Sequence, residues 1–278
     1  MALKSVTDAA GLLRRHPILW LIGLVMGVLA VLDLVVPLEV GTFYAQPLLL
    51  LQVLVMPFVA GGVYGVIKEK NFSGSEFVRS GKHCYFRILL PSFVIYFAIM
   101  LTVFLLAIPL ALIGGGIAAN MAALIIGVAL SIAFFTFFYD TAAVFEGTNV
   151  FESIRRSVEF VMNNLWSVLA FYLINILVLV VLGILTLFAL SALLVDKLEP
   201  LVSMSPAELQ TLMPEDLLAL IGTEGVWITA IVYAVVIFIF SAFHYTYKAS
   251  FFSNRASGAA RLQELQGEYD EKGRWYKY

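Results

Sequence analysis

The chain has 278 residues, of which 62% are apolar and only 13% are charged, and its net charge is −2. A soluble domain carries about 25% charged residues, so this chain has too few polar side chains to cover a water-soluble particle. The composition excludes most soluble classes and indicates an integral membrane protein. Nucleic acid is not an expected partner, because no dense basic patch lies outside the predicted loops.

Six apolar stretches are long enough to cross a membrane as helices. About 20 apolar residues, rising about 1.5 Å each, span a hydrocarbon core of about 30 Å. The strands of a membrane barrel would alternate in polarity, whereas these stretches are continuously apolar. The predicted fold is therefore all-α, a polytopic transmembrane helical bundle with six spans at 17–36, 47–67, 88–113, 121–139, 165–195 and 226–245.

The distribution of positive charge predicts the orientation of the bundle. Sixteen of the 17 Lys and Arg residues lie in the N-terminal segment, in the second-to-third and fourth-to-fifth connections, or in the tail. Only Lys197 lies in a connection on the opposite side. Because cytoplasmic loops carry the excess of Lys and Arg, we expect a multi-pass protein of the plasma membrane with both termini inside the cell.

The connections on the predicted inner side begin alike. Ser5, Ser73 and Asn149 each stand three residues before an acidic residue, which is the spacing of a helix capping box. An amphipathic stretch follows each of them, and such a helix lies in the membrane interface. The sequence thus predicts an interfacial helix before each hairpin, a pseudo-three-fold repeat. One transmembrane domain covers 1–252, with repeat units at about 1–70, 71–147 and 148–252, and a cytoplasmic tail covers 253–278.

The polar faces of two of these amphipathic stretches carry the candidate lipid- or partner-facing basic residues. In the second stretch Phe77 belongs to the apolar face and Glu76 to the opposite, polar face. The basic residues that we expect to meet anionic lipid headgroups or another membrane protein are Arg79, Lys82, Arg155 and Arg156.

The long outer connection predicts an amphipathic helix of its own. Ser205 and Pro206 form a helix start, with Glu208 at the third helical position, and Pro214 begins a second short helix. Apolar residues recur between them and Ile221 at near-helical spacing. We expect an amphipathic cap on the outer mouth of the bundle, the alternative being a plain solvated connection.

Three polar residues inside the spans are candidate sites, because an ionisable group at mid-membrane costs about 2.5–3.5 kcal/mol. Asp33 lies about one turn from the outer end of the first span and could extend to the interface. Asp140 ends the fourth span, where it could pair with a basic residue such as Arg155 or Arg79, or handle a proton or cation. Asn175 needs a partner on another helix, either as packing contact or as substrate contact.

No catalytic motif, cofactor motif or metal site is predicted. Metalloprotease, serine hydrolase and nucleotide-binding signatures are missing, so we expect no enzymatic activity. His16, His83 and His244 all fall near the inner interface, but nothing in their spacing requires a metal ion.

The segment from Glu146 through Arg156 to Trp166, with its amphipathic helix before a hairpin, resembles a broad group of uncharacterised prokaryotic six-span membrane proteins. That group is similar to the membrane domain fused to some glycerophosphodiester phosphodiesterases. The resemblance implies the fold. It transfers no catalytic residue, because this chain has no room for the catalytic barrel.

Two functions remain open from the sequence. The first is a non-enzymatic membrane scaffold or a protein that interacts with lipid or with a partner, suggested by basic interfacial helices facing an anionic leaflet. The alternative is a small-solute transporter or channel, suggested by Asp33, Asp140 and Asn175, and it requires a polar cavity between the hairpins.

Overall fold

The computed structural model describes residues 2–113, 118–205, 211–265, 268–269 and 275–276. Within them, six helices are long and apolar enough to cross a membrane, so the predicted all-α six-span bundle is confirmed. The helices are α1 (Ala2–Arg15), a short 3₁₀ helix (Pro17–Trp20), α2 (Leu21–Glu39), α3 (Thr42–Glu69), α4 (Gly74–Ile113), α5 (Ala118–Thr136), α6 (Tyr139–Phe145), α7 (Val150–Asn163), α8 (Leu165–Leu193), α9 (Val195–Ser203) and α10 (Pro214–Leu265). Two short strands, β1 (Glu268–Tyr269) and β2 (Trp275–Tyr276), pair antiparallel after α10.

The helices pack as hairpins that also contact across the bundle. Within the bundle α2 lies along both α3 and α10, α3 lies along α4, and α1 packs on α10. One end of the bundle is formed by α1, the α3–α4 connection, α6, α7 and the last turns of α10, and we call it the basic end. Both buried apolar clusters lie toward this end, one around Tyr64 and Phe77 and the other around Phe138 and Phe171. The core therefore positions the polar groups that are buried there.

The second predicted interfacial helix is not a separate element. It is continuous with the third span in the 40-residue helix α4. The prediction also placed Glu76 on a face opposite Phe77, whereas both side chains are buried. The physical reason is the close approach of α3, where a Cβ on Gly62 would come within 2.7 Å of the Phe77 ring. The start of α4 thus packs against α3, and its position at the membrane interface stays a prediction.

The helix starts match the predicted caps at two of the three positions. Glu76 N–H donates to Ser73 Oγ at 3.2 Å, and Glu152 N–H donates to Asn149 Oδ1 at 3.1 Å. The cap predicted at Ser5 is wrong, because α1 already begins at Ala2 and Ser5 lies inside it, buried. The three-fold repeat stays a prediction.

The fourth predicted span is broken near its inner end. α5 ends at Thr136 and α6 begins at Tyr139, whereas the prediction ran the span unbroken to Tyr139. Ser157 on α7 supplies the missing hydrogen bonds: its hydroxyl accepts from Phe138 N–H and donates to the Phe135 carbonyl, each at 2.9 Å. A break inside a membrane helix is tolerated when neighbouring side chains satisfy the freed backbone groups in this way.

The outer connection is helical in part. α9, which follows α8 directly, was not predicted, and Pro206–Gln210, with most of the predicted helix start, lie outside the described residues. The helix predicted at Pro214 is confirmed, although it runs on into the last span. Gly222 kinks it there with φ 64° and ψ −178°, a conformation that glycine adopts without a Cβ clash.

Candidate functional site

A buried ion pair joins α6 to α10 near the basic end. Lys248 Nζ lies 2.8 Å from Asp140 Oδ1 and 2.9 Å from Oδ2, and both side chains are buried. The Tyr64 hydroxyl of α3 donates to Oδ2 at 2.9 Å, and the backbone N–H of Thr141 donates to Oδ1 at 2.7 Å. Each carboxylate oxygen therefore has two donors, as a buried charge requires. The suggested partners Arg155 and Arg79 are wrong, because both are held by glutamates on their own helices.

The Lys248 ammonium also contacts the aromatic break between α5 and α6. Its Nζ lies 4.0 Å from the centroid of the Phe137 ring, within the range of a cation–π interaction. The break that exposes Phe137 to Lys248 also places Asp140 in the first turn of α6. One local feature of the backbone thus positions both the carboxylate and the ring.

A second polar pair lies one helical turn away on α10. His244 Nδ1 donates to Asn175 Oδ1 of α8 at 2.8 Å, and the Asn175 amide donates to the Phe171 carbonyl at 2.8 Å. The predicted need of Asn175 for a partner on another helix is met by His244. Because His244 and Lys248 are four residues apart, they project from the same face of α10.

Asp140 lines a cavity whose wall also contains Gln52, the hydrogen-bond partner of Asp33. The cavity, of about 260 Å³, lies between α3, α4, α6 and α10, and Asp140 is part of its wall. Gln52 also lines it and donates a hydrogen bond to Asp33 on α2. The other polar groups of the wall are Ser92, Tyr96, Tyr139 and Tyr245. Asp140 therefore lines this cavity and Asp33 contacts a residue that lines it, whereas Asn175 lies elsewhere.

Three of the four predicted basic residues have acidic partners. Arg79 contacts Glu76 at 2.8 Å. On α7 the two arginines share three glutamates, and the closest contacts are 3.0 Å for Arg155 and 3.1 Å for Arg156, both to Glu152. Lys82 is exposed and forms no ion pair with any described residue. The polar face of α7 is therefore close to neutral, which counting Lys and Arg alone did not reveal.

The third glutamate of this network lies in the α6–α7 connection. Glu146 lies 3.4 Å from Arg156 Nε, and Glu159 on α7 completes the set. Burial raises the pKa of the Glu146 carboxyl, and the neighbouring Arg156 opposes that rise. Protonation of Glu146 therefore occurs at higher pH than for a solvated glutamate.

A cation without an acidic partner among the described residues lines a groove on another side of the basic end. An apolar groove of about 570 Å³ lies between α1 with its following 3₁₀ helix, α8 and α10. Arg14 lines it and, within the described part of the chain, forms neither an ion pair nor a hydrogen bond. The apolar wall consists of Ala10, Leu13, Pro17, Trp20, Val178, Leu182, Ile239 and Phe243.

No metal centre is formed by the residues that the structure describes: no three His, Cys, Asp or Glu side chains come together there. The geometry of the site is that of ion pairing and hydrogen bonding.

The sequence analysis did not identify several of these residues as members of the site. Tyr64 was not singled out, and Lys248 was counted only as a basic residue of the tail. A signal for Lys248 existed, because the apolar character of the helix continues past it through Phe251 and Phe252. For Tyr64 and Arg14 nothing in the local pattern marks a role.

The sequence model of one protein family, described as "Domain of unknown function (DUF7847)", matches residues 1–255. No curated protein and no solved structure matches the chain. The resemblance to the membrane domain of some glycerophosphodiester phosphodiesterases stays a prediction.

Proposed function

Because the chain belongs to the DUF7847 family, a domain of unknown function, we propose a function from its own geometry: it is a multi-pass membrane protein that binds an anionic phospholipid at its basic end. The observation that carries this proposal is the apolar groove with Arg14 at its wall and no acidic partner for that arginine. A lipid phosphate would pair with the guanidinium, and one acyl chain would lie in the groove.

The dimensions of the groove suit one acyl chain. Arg14 is in the last turn of α1 at the basic end, while Val178 is near the middle of the 29-residue helix α8. The groove thus extends from the membrane surface to about the middle of a span, and one leaflet contributes about half of a hydrocarbon core of about 30 Å. Trp20 fits this site, because its indole N–H already donates to the Leu13 carbonyl at 3.0 Å. Its ring can therefore face a hydrocarbon chain without leaving a donor unpaired.

The distribution of charge also supports a lipid site at the basic end of the bundle. The inner leaflet is anionic, and each basic side chain near it contributes roughly 1 kcal/mol. Arg14 lines the groove and has no acidic partner among the described residues, whereas the α7 arginines are paired with glutamates. We place both termini inside the cell on the same grounds, as an inference from the Lys and Arg distribution.

Lipid retention tests the proposal. The protein is purified from its native membrane in a neutral detergent, and bound phospholipid is quantified by native mass spectrometry. Arg14→Gln is expected to lower retention of anionic phospholipid about fivefold, as loss of about 1 kcal/mol implies. Lys82→Gln removes the same charge at the same end outside the groove and is the matched control.

A second pair of variants tests the groove itself. Val178→Trp fills it and is expected to displace the lipid, whereas Val180→Trp adds the same bulk at a position 52% exposed and outside the groove. If Arg14→Gln and Val178→Trp retain as much lipid as their controls, the proposal is wrong.

The cavity beside Asp140 favours a second candidate, the movement of a proton or small solute. Its motivation is the hydrogen bond from Gln52 to Asp33 and the cavity that Gln52 and Asp140 both line. Proteoliposomes that enclose a pH-sensitive dye would report proton entry, and Gln52→Leu is expected to slow it. Entry no faster than into protein-free liposomes would exclude the proton as the cargo.

A further inference from the structure

The face of α1 that carries Arg15 lines a second cavity, distinct from the lipid groove. This cavity of about 500 Å³ lies between α1, the α3–α4 connection and the last turns of α10. Arg14 lines the lipid groove and Arg15 lines this cavity, so consecutive arginines serve different sites. Unlike the groove, the cavity has walls rich in hydroxyl and amide groups.

Two cations meet at this cavity without acidic partners. Arg15 comes from the end of α1, and Lys70 ends α3 in the left-handed conformation, with φ 53°. Neither forms an ion pair with a described residue. The one carboxylate of the wall, Asp8, is already engaged, since it accepts a hydrogen bond from the Asn254 amide at 3.0 Å. Arg15 and Lys70 set two positive charges against the one negative charge of Asp8 in the wall of this cavity.

The rest of the wall is held rigidly and offers further hydrogen bonding. The His16 ring stacks on Phe72 with centroids 3.6 Å apart, which fixes the α3–α4 connection against α1. Asn254 also donates to Ser5 Oγ at 3.0 Å, which fixes α10 against α1. Ser250 lines the cavity and its buried hydroxyl has no hydrogen-bond partner among the described groups. A change of the Ser250 side-chain rotamer toward the cavity would let this hydroxyl donate to a phosphate oxygen, and an unsatisfied buried hydroxyl is unfavourable.

We propose that this cavity binds a phosphate-bearing anion, with Arg15 and Lys70 as the charged ligands and the Ser250 hydroxyl as a further donor. A guanidinium and an ammonium from separate elements can contact different oxygens of one phosphate group. The source of that group is a lipid headgroup or a free phosphate compound. The site does not involve Arg14, so this proposal does not depend on the proposed lipid groove.

Calorimetry with two probes tests the site and its source. The full chain in neutral detergent is titrated with inorganic phosphate and, separately, with a short-chain phosphatidate. Arg15→Gln and Lys70→Gln are each expected to weaken binding roughly tenfold or more, because a charged hydrogen-bonding partner is lost. Lys82→Gln removes a cation of the basic end that does not line the cavity, and it is expected to change binding less than about twofold. Lys70→Arg, which keeps the charge, is expected to retain binding.

The same variants are examined for phospholipid carried through purification. Tighter binding of phosphatidate than of phosphate, or phospholipid retention that depends on Arg15, identifies a lipid headgroup. Comparable binding of both probes without retained lipid identifies a free phosphate compound. The inference is overturned if neither probe binds and no retained lipid depends on Arg15 and Lys70, or if all variants bind the probes equally.

Discussion

Asp140 can be buried because four donor contacts surround its carboxylate. Lys248, Tyr64 and the Thr141 backbone supply them from α10, α3 and α6. An ion buried from water is tolerated only when its partner and hydrogen bonds replace the lost hydration. This saturation favours a structural role for Asp140 itself, that of fixing the last span against the middle of the bundle.

Removing one partner of this pair is expected to lower the unfolding free energy more than removing both charges together. Lys248→Met leaves Asp140 buried without its counter-ion and should cost about 3–5 kcal/mol of unfolding free energy. Asp140→Asn combined with Lys248→Met removes both charges and should cost less than Lys248→Met alone. Unfolding by a denaturing detergent in mixed micelles measures all of these variants. A double variant that costs as much as Lys248→Met alone, or more, would contradict the pairing.

The other buried pair, Asn175 and His244, shows how a buried amide inside a span obtains its hydrogen bonds. Asn175 binds His244 through its oxygen and the Phe171 carbonyl through its nitrogen, so both of its polar atoms have partners. Interhelical hydrogen bonds of this kind hold membrane helices together. The pair joins α8, which is otherwise little covered by the rest of the bundle, to α10.

At the scale of the helices, close approach depends on glycine at particular positions. Gly23 on α2 faces the backbone carbonyl of Phe238 on α10, and a Cβ at Gly23 would collide with that oxygen. A carbonyl in a helix cannot move aside without moving the helix. The long contact between α2 and α10 therefore requires glycine there.

Gly23→Ala is expected to lower the unfolding free energy by about 1–3 kcal/mol, because two packed helices are forced apart. Gly183→Ala is the matched control: it makes the same change within a span where no atom lies within 4 Å of the new Cβ. Alanine favours a helix over glycine, so the control should be unchanged or slightly more stable. Mixed-micelle unfolding would compare the two, and equal effects would disprove the packing argument.

The break between α5 and α6 is the second feature of the helices that determines how the bundle packs. Without it the backbone would carry Asp140 further around the helix, and Ser157 would have no free backbone groups to bind. The aromatic run from Phe134 to Tyr139 gives no proline or glycine to mark the break. Contact with α7 therefore determines where the helix is interrupted.

At the scale of the whole molecule, the charge asymmetry predicts which end of the bundle faces the cytoplasm. Cys84 is the only cysteine of the chain and is buried, so a Cys84→Ala background gives a clean labelling experiment. Arg79→Cys and Glu224→Cys place thiols at opposite ends, at positions where the native side chains are 73% and 75% exposed.

A membrane-impermeant thiol reagent applied to intact cells is expected to label position 224 and to leave position 79 unlabelled until the cells are lysed. The reason is that loops rich in Lys and Arg stay on the cytoplasmic side. Labelling of position 79 before lysis would reverse the proposed orientation and move Arg14 and Arg15 to the outer leaflet.

The sequence by itself determined the six apolar helices, the all-α class and the clustering of positive charge. These properties follow from transfer of each segment into lipid, which depends on the segment's own residues and length. The pairing of the α7 arginines with Glu152 and Glu159 was also within its reach, because residues three and four apart meet on a helix.

Only the tertiary structure decided which polar groups meet. Asp140 and Lys248 are 108 positions apart, and the two cavities on either side of α1 are formed by three elements each. Burial and pairing depend on which helix faces which, and no local pattern encodes that choice. The sequence therefore marked Asp33, Asp140 and Asn175 as costly to place in lipid, but the packing of α3, α8 and α10 selected their partners. That packing left Arg14 and Arg15 without an acidic partner in the part of the chain that the structure describes.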